Sequence, residues 1–115
     1  MADYFVFDKV KEWKILEKDN PEIYKKNGKK PKFKVVWLKR IIGVQSNTQQ
    51  YIHNRRIEDL QEIFKNKEYK FDKSDPIHLV KLKEKYYIGS DGKHRVLSAK
   101  KCGIKKLKAL VQDLT

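Results

Sequence analysis

Between residues 86 and 99 the chain changes its period. Tyr86-Tyr87-Ile88 runs as an apolar strand, Gly89 breaks it, and after Asp91 the apolar side chains return at helical spacing as Val96, Leu97 and Ala99, with Cys102 and Gly103 beyond. That is a strand, a tight turn and a helix. The strand needs a sheet beside it and the helix needs that sheet to cover its apolar side, so the unit commits the chain to mixed α and β structure.

The same turn is the first candidate site. Ser90 or Asp91 is expected to cap the helix by accepting a bond from a free N–H of its first turn, and Gly92 lets the main chain approach a guest closely. Free N–H groups and the helix dipole favour an anion there, and His94 and Arg95, one turn in beside Lys93, add solvent-facing donors to the same small volume. Two readings stand at this point: a phosphate site, or a solvated turn that binds nothing. Cations at a helix N-terminus oppose the dipole by a few tenths of a kcal/mol or more, and an anion removes that conflict.

With 115 residues there is material for one modest core. The net charge of +13 is unevenly spread. No acid lies between Glu22 and Glu58, an interval that holds Lys25, Lys26, Lys29, Lys30, Lys32, Lys34, Lys39, Arg40, Arg55 and Arg56. None lies between Asp91 and Asp113 either, where Lys93, Arg95, Lys100, Lys101, Lys105, Lys106 and Lys108 fall. Apolar residues interleave the lysines, so this is not a low-complexity tail. A solvated face is the ordinary reading of such runs, but an imbalance of this size on a small domain implies attraction to polyanions, nucleic acid and DNA first among them. The expected surface comprises Lys29, Lys30, Lys32, Lys34, Lys100, Lys101, Lys105 and Lys106. The single cysteine, Cys102, excludes an internal disulfide and a multi-cysteine zinc site. No apolar run approaches the roughly 20 residues that span a bilayer, and Met1-Ala2-Asp3-Tyr4-Phe5 does not open as a signal peptide does, so no membrane partner and a cytoplasmic location are expected.

In chain order, Tyr4, Phe5, Phe7, Val10, Trp13 and Leu16 recur at mixed three- and four-residue spacings. They predict a short amphipathic helix against the core, or equally a docking element with exposed aromatics, within an extension over residues 1–33. The domain proper is expected over residues 34–115. It begins with a strand, Lys34-Val35-Val36-Trp37-Leu38, whose apolar character Ile41 and Ile42 continue; residues 43–50, with Ser46, Asn47 and Thr48, form a polar loop. Ile57, Leu60, Ile63 and Phe64 predict a helix over residues 55–66, with Arg55 and Arg56 at its electropositive start. Asp75-Pro76 sets the chain extended, and residues 77–88 read as a hairpin turning at Lys83-Glu84-Lys85. After the second helix, Gly103 stops it as a left-handed cap, and Leu107, Ala109 and Val111 alternate as a closing strand. The class is α+β, in the order β-loop-α-β-β-α-β.

With that order the chain resembles the ParB N-terminal domain and sulfiredoxin superfamily over residues 34–113. The resemblance is carried by Pro76-Ile77, the hairpin, Asp91-Gly92-Lys93-His94-Arg95 followed by Ala99 and Gly103, and the closing Leu107-Lys108-Ala109-Leu110-Val111. It implies a mixed-sheet domain whose strand-turn-helix grips nucleotide phosphates, and Arg55-Arg56 are similar to arginines that precede the same helix in ParB-like domains. By that resemblance Ser90, Asp91, Gly92, Lys93, His94 and Arg95, with Arg55 and Arg56, would clamp a nucleoside triphosphate, ATP or CTP with Mg²⁺. Sulfiredoxins place a catalytic cysteine immediately before His-Arg; here Lys93 stands there and Cys102 is more than two helical turns away, so sulfinic-acid reduction is not expected.

Three functions follow as expectations. The first is a nucleotide- and nucleic-acid-binding module. The second is a metal-dependent nuclease or nucleotide-dependent phosphotransferase, for which Asp91 is the best-placed carboxylate, Glu58 a distant second, and His94 the candidate general base. The third is a basic interaction or inhibitor protein of a mobile element, docking a protein partner through its aromatic N-terminal segment. His53 and His78 lack companions at ligand spacing and read as ordinary histidines, so no metal site is expected. Trp13 and Trp37 read as core or edge packing.

Overall fold

The computed structural model describes residues 7–9, 13–22, 28–46 and 51–114. Strands β1 (Phe7–Lys9) and β2 (Lys14–Ile15) precede a one-turn helix, α1 (Leu16–Asp19). Next come β3 (Lys32–Trp37), a 3-10 turn over Leu38–Arg40, β4 (Ile41–Val44) and β5 (Tyr51–His53), which leads directly into α2 (Asn54–Lys65). The hairpin of β6 (His78–Leu82) and β7 (Lys85–Ile88), helix α3 (Lys93–Lys101) and strand β8 (Lys106–Asp113) complete the chain.

These elements make an α+β architecture around one six-stranded mixed sheet in the order β2-β4-β7-β6-β8-β3. The hairpin sits at its centre, antiparallel within itself, with β8 parallel to β6 and β4 parallel to β7. Its edges are β2, parallel to β4, and β3, antiparallel to β8. β1 and β5 form a separate antiparallel pair.

Alternation along the strands divides the buried side chains between two faces. Leu79, Ile88, Ala109, Val111 and Val36 meet Ile57 and Phe64 of α2 and Val96, Leu97 and Ala99 of α3 in the larger core. On the opposite face Val80 and Tyr87 pack with Leu16, which α1 inserts there with no exposed surface. Tyr86 and Tyr87 accordingly point to opposite faces, Tyr86 packing against the larger core. Cys102 packs against the larger core near the end of α3, and Gly103, at φ 75°, ends that helix.

The helices, hairpin and closing strand lie where the periodicity predicts them, within a residue or two. The first strand does not. Its apolar run is cut at Leu38–Arg40, where the chain turns so that Ile41 and Ile42 join the far side of the sheet as β4 rather than prolonging β3. The expected N-terminal helix is also corrected: among the described residues, 7–9 and 14–15 are strands, and the α-helix is confined to Leu16–Asp19. Trp13, 8% exposed, belongs to the core and is no docking aromatic. Tyr4, Phe5, Val10, Asn47 and Thr48 lie outside the described residues. No described helix is long and apolar enough to cross a membrane.

Candidate functional site

The turn between β7 and α3 is fastened on three sides. Gly89 N–H donates to the His78 carbonyl at 2.7 Å, and His78 N–H donates to the Asp91 carbonyl at 2.9 Å, so residues 89–91 are stitched to the first residue of β6. At Gly92 the backbone takes φ 118°, a left-handed value that a β-carbon disfavours, and α3 begins at the next residue. On the third side the His53 N–H donates to His94 Nε2 at 3.0 Å, which brings the start of α2 against the start of α3.

Two helix N-termini therefore meet at one place. Neither is capped by a described side chain, and neither has an acid in its first turn. The expected cap from Ser90 or Asp91 is not made: Gly92 holds the N-cap position, and the Asp91 carboxylate lies 3.3 Å from the Arg95 guanidinium instead. Between the two helices opens a cleft of about 260 Å³ lined by Arg56 and by residues 89–95. Of the candidate phosphate ligands, Ser90, Asp91, Gly92, Lys93, His94, Arg95 and Arg56 border it, whereas Arg55 does not.

Arg95 is the clearest departure from expectation. It is not solvent-facing: its side chain is 15% exposed. Its guanidinium donates to the carbonyls of Asp75 at 2.7 Å and Pro76 at 3.3 Å and pairs with the Asp75 and Asp91 carboxylates. These bonds hold the extended segment before β6 onto α3, so Arg95 positions the turn. The free cations of the cleft are Lys93 and Arg56, neither of which pairs with a described carboxylate. Burial lowers the Lys93 pKa, a cost of holding an ammonium partly out of water.

His94 is corrected as well. Burial first, then the neighbouring charges of Lys93, Arg56 and His53, push its pKa down from the ordinary 6.5 to about 4, against a smaller opposing effect of Asp91. Its Nε2 lone pair already accepts the His53 N–H. At neutral pH it is an uncharged structural acceptor, not a general base poised near 7. Because the unfolded chain binds this proton more tightly than the folded one, the contribution of His94 to stability is complete above about pH 6.5 and is lost as pH falls towards about 4. Urea midpoints measured across that window should fall for the parent and fall less steeply for His94→Gln, whose amide oxygen can still accept the bond.

Ser98, which no motif in the sequence marks, anchors the arrangement. Fully buried, its Oγ lies 2.7 Å from the His94 carbonyl and 3.2 Å from the Ile57 carbonyl, joining α3 to α2. A hydroxyl inside the apolar run Val96-Leu97-Ser98-Ala99 was its one available signal. Among the expected nucleic-acid lysines, Lys29, Lys30, Lys32, Lys34, Lys101, Lys105 and Lys106 are exposed, but Lys100 is part-buried and its Nζ donates to the Ile41 carbonyl. Among the described residues no three His, Cys, Asp or Glu side chains form a metal-ligand cluster.

Compared with protein-family models, curated proteins and solved structures, the chain finds no significant match.

Proposed function

We propose that the cleft between α2 and α3 holds the phosphates of a nucleotide, and that the protein is a nucleotide-phosphate- and nucleic-acid-binding module of the ParB-like kind its sequence resembles. One observation carries this reading: two helix N-termini whose N-cap residues make no side-chain cap, and two cations that pair with no described carboxylate, Arg56 and Lys93, border the same cleft. Helix dipoles and side-chain charge add with one sign there, and a phosphate would supply the missing counter-charge. Backbone N–H groups of the first turn of α3 would bind its oxygens, while Arg95 keeps the turn in place from behind. With no carboxylate cluster among the described residues, Mg²⁺ would arrive on the nucleotide, ATP or CTP, rather than be held by the chain. The catalytic alternative, nuclease or phosphotransferase, has less support, since Asp91 is paired with Arg95 and His94 titrates near 4.

Thermal unfolding with ATP, ADP, CTP and GTP, with and without Mg²⁺, tests the proposal. A nucleotide at ten times its Kd adds about 1.4 kcal/mol, which raises the midpoint by several degrees in a domain of this size. Lys93→Gln and Arg56→Gln should each weaken that binding by about tenfold or more, because each removes a charge-assisted bond. A midpoint indifferent to every nucleotide, or a shift that survives both substitutions, would rule the cleft out.

A further inference from the structure

The two acid-free intervals of the sequence, far apart in the chain, become neighbours in the fold. β3 comes from the first and β8 from the second, and they pair in register with Val35 opposite Lys108 and Trp37 opposite Lys106. Val36 is 3% exposed and faces the helices, so Phe33, Val35 and Trp37 stand on the other face of this edge strand. They are uncovered: Phe33 is 37%, Val35 61% and Trp37 43% exposed. Cations frame them. Lys106 and Lys39 ammonium groups lie 5.2 and 5.6 Å from the Trp37 ring centroid, and Lys108 lies 5.0 Å from the ring of Phe71, which packs edge-on against Phe33 at 5.5 Å. Beside Trp37 runs an open groove of about 450 Å³ bordered by Lys39, Ile104 and Lys105.

We infer that this β3–β8 face is a binding platform for single-stranded nucleic acid, in which Trp37 and Phe33 stack on unpaired bases and Lys39, Lys106 and Lys108 follow the phosphates. The inference rests on the nucleic-acid part of the proposed function and assigns it a surface and a strand state. Flat aromatic faces alternating with lysines match a polymer that alternates flat bases with phosphates. A duplex hides its base faces and would meet only the lysines. A second copy of this chain, adding its own β3 to the free edge, would bring Lys32 and Lys34 of one edge strand towards those of the other, which opposes pairing.

The chain has two tryptophans, of which Trp13 is buried and Trp37 exposed, so Trp13→Phe leaves Trp37 as the reporter. Titration of that variant with a short oligothymidylate should quench its emission, and the matching duplex should quench it little. In anisotropy, Trp37→Ala and Phe33→Ala should each weaken single-strand binding roughly five- to a hundredfold and leave duplex binding nearly unchanged. Lys106→Ala should flatten the salt dependence on single strands by about 0.7 in log–log slope. Val35→Glu, which sets a repelling charge in the platform without truncating an aromatic, serves if Trp37→Ala does not fold. Unaltered binding in these variants, equal losses on duplex and single strand, or a dimer in sedimentation that Val35→Glu dissociates would overturn the inference while nucleic-acid binding by the parent stands. A parent that binds no nucleic acid overturns both, and the nucleotide half of the function is then judged by its thermal shifts alone.

Discussion

Gly43→Ala is expected to cost the protein about 3 kcal/mol and to release the segment over residues 14–19 from the sheet. Gly43 lies where β2 runs beside β4, paired with Lys14, and a β-carbon there would fall inside the van der Waals envelope of the Lys14 carbonyl oxygen, with the Lys14 carbonyl carbon 2.6 Å and its amide nitrogen 2.7 Å away. These are main-chain atoms, so no rotamer change relieves the overlap; one strand must move. β2 is the edge with only β4 to hold it, and Leu16 follows two residues later in sequence, fully buried against Val80 and Tyr87. Unseating Leu16 alone forfeits about 1.5–3 kcal/mol of apolar burial. Urea unfolding reads the stability, and limited trypsinolysis at Lys14 and Lys18 reads the release. A parental midpoint with unchanged protection of those sites would show that β4 can shift without cost.

Gly92→Ala is the second large effect, and it joins the fold to the site. The residue sits at φ 118°, and a β-carbon would approach Ile77 Cγ2 to 2.6 Å, with Ile77 itself 1% exposed and unable to retreat. Left-handed strain costs about 1 kcal/mol or more for an L side chain, and the overlap with a packed isoleucine adds about 1–3 kcal/mol. The total expected loss is about 2–4 kcal/mol. Because α3 starts at the next residue, relief of the clash moves the free N–H groups away from Arg56. A variant that still folds at low temperature should therefore also lose the nucleotide-dependent thermal shift. Parental stability together with a parental nucleotide response would mean that the backbone at residue 92 is free to adopt another conformation.

The parts of the molecule visible in the sequence are those whose signal is local. Residues 77–103 alternate, turn, and switch to helical spacing within one contiguous stretch, and the hairpin and α3 follow that pattern closely. α2 is equally legible, because Ile57, Leu60 and Phe64 mark one side of a helix of twelve residues, although Ile63, expected on that side, is 38% exposed. β1, β2 and β5, of two or three residues each, are set by partners twenty-nine or more positions away and carry too few residues for a period to show. The break between β3 and β4 was hidden because Leu38-Lys39-Arg40 contains neither glycine nor proline.

At the candidate site, the strand-turn-helix is legible in the sequence, but the surroundings of its side chains are not. Whether an arginine faces solvent depends on what lies across from it. The acceptors that enclose Arg95 are carbonyls about twenty positions earlier in the chain. His94 likewise takes its character from His53, forty-one positions away. Trp37 was half legible: alternation sets it on the face opposite to Val36, but only the strand order shows that β3 is an edge strand, whose outer face is left partly open.

That strand order also dictates when the six-stranded sheet can be closed. Among the described strands β3 has a single neighbour, β8, which the chain reaches only after the hairpin and α3. During synthesis residues 32–37 emerge early and wait, unpaired, until residues 106–113 have been made. Closing so long a loop places the final pairing late and makes it slow beside the local hairpin. Throughout the wait the nascent chain carries Phe33, Val35, Val36 and Trp37 on an open strand, the kind of segment that aggregates. Lys32 and Lys34 interrupt it on one side and Lys39 and Arg40 close it on the other, so the same charges that frame the finished platform act beforehand as gatekeepers of an unfinished one.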